Sequence, residues 1–209
     1  MDQYYHSVTL DSQKCKGCTN CIKRCPTQAI RVQGGKAKIL PELCIDCGEC
    51  ILVCPHHAKK AVFDSFESIN KFKYKIAIPA PSLYGQFNNL TDINYVLTAL
   101  LDIGFDDVFE VAVAAEIISN ATSKLVKAGK LKYPVISSAC PAVERLIRVR
   151  FPQLCENVLP LDSPMEYAAR LAKRRAVEKT GLSQQDIGVF FISPCPAKIT
   201  DIKHPINSE

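Results

Sequence analysis

From residue 74 onward, short apolar runs alternate with longer amphipathic stretches, the pattern of strands and helices in an α/β layer fold. Residues 74–80 (YKIAIPA), 107–112 (DVFEVA), 134–140 (PVISSAC) and 187–193 (IGVFFIS) are the predicted strands. Between them lie predicted helices. Residues 93–104 put Ile93, Val96, Leu97, Leu100 and Leu101 on one face, 114–129 end at Gly129 as a C-cap, and 142–151 follow a Pro. A fourth, over 163–182, opens with Ser163 as N-cap, Pro164 at the first position and Glu166 three residues on, and stops at Gly181. Strand and helix repeated this way predict right-handed crossovers and a mainly parallel sheet. Functional groups then collect beyond the carboxyl ends of the strands.

The first 70 residues follow a different rhythm. Two short extended pairs are predicted, AIRVQGGKAKIL turning at Gly34-Gly35 and KKAVFDSF, and each follows a run of cysteines. Residues 15–26 read C-K-G-C-T-N-C-I-K-R-C-P and residues 44–55 read C-I-D-C-G-E-C-I-L-V-C-P. The pattern C-x2-C-x2-C-x3-C-P thus occurs twice, offset by 29, as an internal repeat.

Eight of the 11 cysteines lie in these runs, and Cys140, Cys155 and Cys195 are spread over the rest. No apolar run approaches the ~18 residues of a membrane span, and the N-terminus lacks the apolar core of a signal peptide. The expected location is the cytoplasm, where clustered thiols hold metal more often than they form disulfides. Three Cys spaced by two residues wrap three corners of a cubane; the fourth, too far along to close the same cluster, serves the other. One [4Fe–4S] cluster is therefore assigned to Cys15, Cys18, Cys21 and Cys54, and a second to Cys44, Cys47, Cys50 and Cys25. Zinc sites, the alternative, normally use two separated C-x2-C pairs rather than four Cys in one run. His6, His56, His57 and His204 read as exposed loop residues, and Cys155 as a buried small side chain.

Composition and charge agree. With 47% hydrophobic and 22% charged residues the chain is an ordinary globular mix, which excludes disorder, collagen and coiled coil. The formal charge of +5 comes wholly from the first 75 residues, where Lys14, Lys16, Lys23 and Arg24 interleave with the cysteines. Two oxidised clusters of about 2− each would reduce it to about +1, so the basic residues read as compensation and not as a nucleic-acid stripe. A nucleotide enzyme is excluded by PAPSLYGQF after the first strand, which carries no Gly-rich phosphate loop.

Residues 7–66 resemble the bacterial two-cluster ferredoxin. The two later Cys-Pro segments, Ser137-Ser138-Ala139-Cys140-Pro141-Ala142-Val143 and Ser193-Pro194-Cys195-Pro196-Ala197-Lys198, resemble the first two active-site motifs of the iron-only ([FeFe]) hydrogenase large subunit, T-S-C-C-P-x-W and M-P-C-x-x-K. The resemblance implies that Cys140 and Cys195 bind the four-iron part of the H-cluster and that Lys198 hydrogen-bonds a cyanide of the di-iron part. It further implies an α+β two-cluster ferredoxin-like domain (1–70) followed by an α/β domain with a mainly parallel sheet (74–209), the N-terminal portion of a hydrogenase lobe.

Departures from that pattern qualify the activity. Ala139 stands where catalytic members carry the proton-shuttling Cys, Val143 replaces the Trp and Ser193 the Met. The third motif does not occur before Glu209, so the H-cluster is expected only if that motif is supplied downstream, and the chain reads as a fragment without catalytic activity of its own. Loss of the shuttle resembles the sensory branch of the family, which implies a redox partner protein and a downstream sensor domain or regulator. The competing expectation is a redox-responsive signalling or partner-binding module with no hydrogen chemistry.

Overall fold

The structure, a computed structural model, describes residues 5–206. In chain order its elements are β1 (Val8–Leu10), α1 (Asn20–Arg24), β2 (Ile30–Gln33), β3 (Lys36–Ile39), α2 (Glu49–Leu52), β4 (Lys59–Ala61), β5 (Tyr74–Pro79), α3 (Asn94–Asp102), β6 (Asp107–Val108), α4 (Val111–Lys127), α5 (Pro141–Arg150), α6 (Pro164–Thr180), β7 (Ile187–Ile192) and α7 (Pro196–Lys203). They form two compact units that are not contiguous in sequence. One comprises the chain up to Phe63 with Pro134–Val158 and the segment from Cys195; the other comprises Asp64–Tyr133 and Leu159–Pro194. Among the described residues no helix is long and apolar enough to cross a membrane.

The second unit is the α/β layer. Its sheet has the order β6-β5-β7, and both pairings are parallel. Alternation along β5 divides the packing between the two faces. Ile76 and Ile78 join Ile187, Val111, Ala114 and the alanines of α6 in one core, while Ala77 faces Ile69, Leu100 and Phe105 in another. Ala168, Ala172 and Ala176 recur every fourth residue, a small-residue stripe on the buried face of α6. That helix starts with the capping box read from the sequence: Glu166 N–H donates to Ser163 Oγ at 3.3 Å and Ser163 N–H to Glu166 Oε2 at 2.9 Å. It ends at Gly181, whose φ of 68° suits a residue without Cβ.

Three elements depart from expectation. Residues 134–140 do not join the sheet, and their one bridge is Ile136 with Val158. Pro134 lacks an N–H, its carbonyl is taken by Asn157 Nδ2, and the Ile136 N–H by the Asn157 carbonyl, so local partners satisfy the backbone that a ladder would have used. The strand over 107–112 is cut to two residues because Val111 and Ala114, three apart, bury one face of α4. On α3 only Val96 and Leu100 are buried, and Ile93 and Leu101 are exposed.

In the first unit, β2 and β3 form the expected hairpin, with positive φ at both Gly34 and Gly35, as a type I′ turn requires. KKAVFDSF does not fold on itself; β4 pairs antiparallel with β1, Val8 opposite Ala61. Each cysteine run turns through left-handed residues, Gly17 and Thr19 in the first, Asp46 and Gly48 in the second. A Cβ on Gly17 would lie 2.6 Å from the Gly35 carbonyl oxygen, so this close approach of two loops requires glycine. Ser7 ties the start of β1 to α7: its Oγ donates to the Pro196 carbonyl at 2.7 Å and its N–H to Thr200 Oγ1 at 3.1 Å, with both side chains fully buried.

Candidate metal centres

The short helices α1 and α2 each carry the third cysteine of a run, and the fourth follows at the helix end. The fold then gathers the eight thiols into two cavities. Cys15, Cys18, Cys21 and Cys54 line one. Cys25, Cys44, Cys47 and Cys50 line the other. Each cavity takes three cysteines from one run and the last from the other.

Backbone N–H groups aim at sulfur in both. Ala29 donates to Cys25 Sγ at 3.2 Å, Ala58 to Cys54 Sγ at 3.3 Å and Ala37 to Cys15 Sγ at 3.4 Å. N–H groups of Ala37 and Gly17 hold the Cys15 thiol below its usual range. At Cys54, burial acts upward but is outweighed by the N–H groups of Ala58, His56 and Lys59. Burial pushes Cys50 up to about 12, and burial with the neighbouring Asp46 carboxylate pushes Cys44 up to about 12. Thiols so buried ionise when a metal takes the place of the proton.

Lys59, 3% exposed, lines the first cavity, and its Nζ is fully buried with no hydrogen-bond partner among the described residues. Burying an ammonium without an opposing charge is costly, and a thiolate-held metal cluster supplies one. Donor set, N–H orientation and orphaned cation fit a metal–sulfur group.

The later cysteines sit at helix starts. Cys140 is the N-cap of α5 and Cys195 of α7, each followed by Pro at the first helical position. Cys140 is exposed and Cys195 partly so. The helices pack together, and Lys198 Nζ donates to the Ala139 carbonyl at 2.8 Å, so the two Cys-Pro segments meet.

Cys155 is exposed in the turn Pro152–Asn157, not buried as its apolar neighbours imply, because in this turn Asn157 is the residue that goes inside. His6 lies outside the helices and strands, as expected, but is not exposed: its side chain is 10% exposed and its Nδ1 lies 2.7 Å from Asp46 Oδ2. The cysteine pattern alone singles out neither Asp46, inside the second copy of the repeat, nor Lys59, four residues beyond it; aligning the two copies at the offset of 29 marks both. His56 and His57 are exposed, and exposed His204 stacks on Tyr5.

Residues 73–209 match the family model of the iron only hydrogenase large subunit, C-terminal domain, and residues 7–55 a 4Fe-4S dicluster domain. The chain belongs to the iron-only hydrogenase large-subunit family. It is an iron-sulfur electron-transfer protein. It is 28% identical to the periplasmic [Fe] hydrogenase large subunit of Nitratidesulfovibrio vulgaris over 92% of this chain and 50% of that one. It is 24% identical to the NADP-reducing hydrogenase subunit HndD of Solidesulfovibrio fructosivorans over 95% of this chain and 40% of that one. A ferredoxin of Methanothermococcus thermolithotrophicus is 42% identical over 25% of this chain and 92% of its own length. The chain therefore spans half or less of these hydrogenase relatives and nearly all of the ferredoxin.

Proposed function

We propose that the chain is a one-electron relay with two [4Fe–4S] clusters, one on Cys15, Cys18, Cys21 and Cys54 and the other on Cys44, Cys47, Cys50 and Cys25, passing electrons between a redox partner protein and a hydrogenase-type lobe. The observation that carries the reading is the crossed grouping of the eight thiols around two cavities. The clusters supply the electron chemistry. The polypeptide supplies thiolates, N–H groups on Cys15, Cys25 and Cys54 sulfur that favour the more negative state, and apolar walls that keep water off.

In a chain extended through a third motif, Cys140 and Cys195 would hold part of the H-cluster and Lys198 would approach its di-iron part. Ala139 cannot exchange a proton, which favours hydrogen or redox sensing, with a downstream sensor domain or regulator, over rapid turnover. A signalling module without hydrogen chemistry is a second reading, supported by the commitment of Lys198 to the Ala139 carbonyl. Reductive titration under anaerobic conditions tests the relay. Uptake of two electrons per chain, with magnetic interaction between two reduced centres, is the expected result; uptake of none would overturn it.

A further inference from the structure

The two halves of the cysteine repeat match at an offset of 29, and the match continues past the ligands: Ala29 and Ala58 both donate N–H to the sulfur four residues before them. In this register Ile30, the first residue of β2, corresponds to Lys59, the first residue of β4. Both are 3% exposed. Ile30 lines the cavity of Cys25, Cys44, Cys47 and Cys50, and Lys59 lines the other. A charged side chain thus fills the niche that its twin fills with hydrocarbon. The loops repeat the asymmetry with opposite sign. Gly17 in the Lys59 cavity corresponds to Asp46 in the other, where the 1% exposed carboxylate accepts from the Val8 N–H at 3.1 Å and lies 3.8 Å from Cys44 Sγ.

We propose that Lys59 splits the potentials of the two clusters, raising that of the cluster held by Cys15, Cys18, Cys21 and Cys54 so that the first electron entering the chain rests there. This inference rests on the two-cluster reading above. Reduction adds one negative charge to a cluster. A buried cation beside it stabilises the reduced form, and low local dielectric with little salt screening enlarges the effect. Asp46 opposes reduction of the other cluster, its charge tempered by His6. The result is a fixed direction along the relay, built from residues that are not ligands.

The test is an EPR-monitored redox titration of the anaerobic chain, with iron and sulfide assayed in each sample. Cys18→Ser and Cys47→Ser, each perturbing one cluster, assign the two signals. Lys59→Ile, carrying the residue its twin already seats, should lower the higher midpoint by at least tenfold in the reduction equilibrium, about 59 mV. The other midpoint should move less. Lys59→Met should repeat the shift, and Lys59→Arg should largely retain the original value. Full iron content with unmoved midpoints in both neutral variants would overturn the inference, as would loss of the cluster in both, since the charge would then serve assembly instead of potential. A wild-type chain lacking two clusters would instead defeat the relay reading itself.

Discussion

Lys198 Nζ donates to the carbonyl oxygen of Ala139 at 2.8 Å, joining residues 59 apart in sequence. The bond spans the starts of α5 and α7 and brings the Ala139-Cys140 and Cys195-Lys198 segments together. A side chain that the family pattern directs toward a cofactor is thus held by the backbone at Ala139, where that pattern has the first of its two cysteines. Releasing it costs a charge-assisted hydrogen bond of about 1.5–3 kcal/mol, less the solvent that replaces it at this half-buried site.

Lys198→Met is accordingly expected to destabilise the chain by about 1 kcal/mol. Denaturant unfolding under anaerobic conditions, at matched iron content, checks it. An unchanged midpoint would mean that the bond does not persist in solution.

Crossed ligation gives two variants with opposite targets. Cys25→Ala should damage the cluster of Cys44, Cys47 and Cys50, and Cys54→Ala that of Cys15, Cys18 and Cys21. Because Ala29 and Ala58 lose their sulfur acceptors in the same variants, the adjacent turns should loosen too. EPR of each variant reads which signal is altered, and the reverse pairing would refute the assignment.

Thr200→Val keeps the volume of a fully buried side chain but removes the acceptor for the Ser7 N–H and the hydroxyl shared with Ser7 Oγ. Leaving these groups unsatisfied costs about 1–3 kcal/mol. A loss of that size in denaturant unfolding is expected, and Ser7→Ala should cost less in the variant than in the native chain.

What the sequence revealed was whatever local chemistry decides. Ser163, Glu166 and Gly181 announced α6 because a capping box and a left-handed C-cap involve neighbours in sequence, and Gly34-Gly35 announced the hairpin for the same reason. The cysteine spacing likewise carried the grouping of thiols, since a repeat constrains its own geometry. Residues 134–140 misled because an apolar run does not reveal whether a sheet edge will receive it. His6 and Cys155 misled because burial depends on partners elsewhere in the chain, Asp46 in the one case and the inward turn of Asn157 in the other. Lys59 was hidden among basic residues read as compensation; only its alignment with Ile30 sets it apart.

The 209-residue chain is expected neither to evolve nor to consume hydrogen, even when supplied with a matured di-iron cofactor. On the proposed reading Cys140 and Cys195 would provide half of a four-ligand shell, and Ala139 offers no proton. Ala139→Cys alone should give no turnover, whereas the same substitution in a chain extended through a third motif should raise the rate where proton transfer limits. Hydrogen production from a reduced dye by all four proteins decides it, and turnover by the native chain would show the ligand count to be wrong.

The most direct test of the relay is the metal and acid-labile sulfide content of the anaerobically purified chain. Two complete sets of four thiols predict about eight iron and eight sulfide per chain, with a brown colour that bleaches on reduction. Two zinc per chain with no sulfide would contradict it.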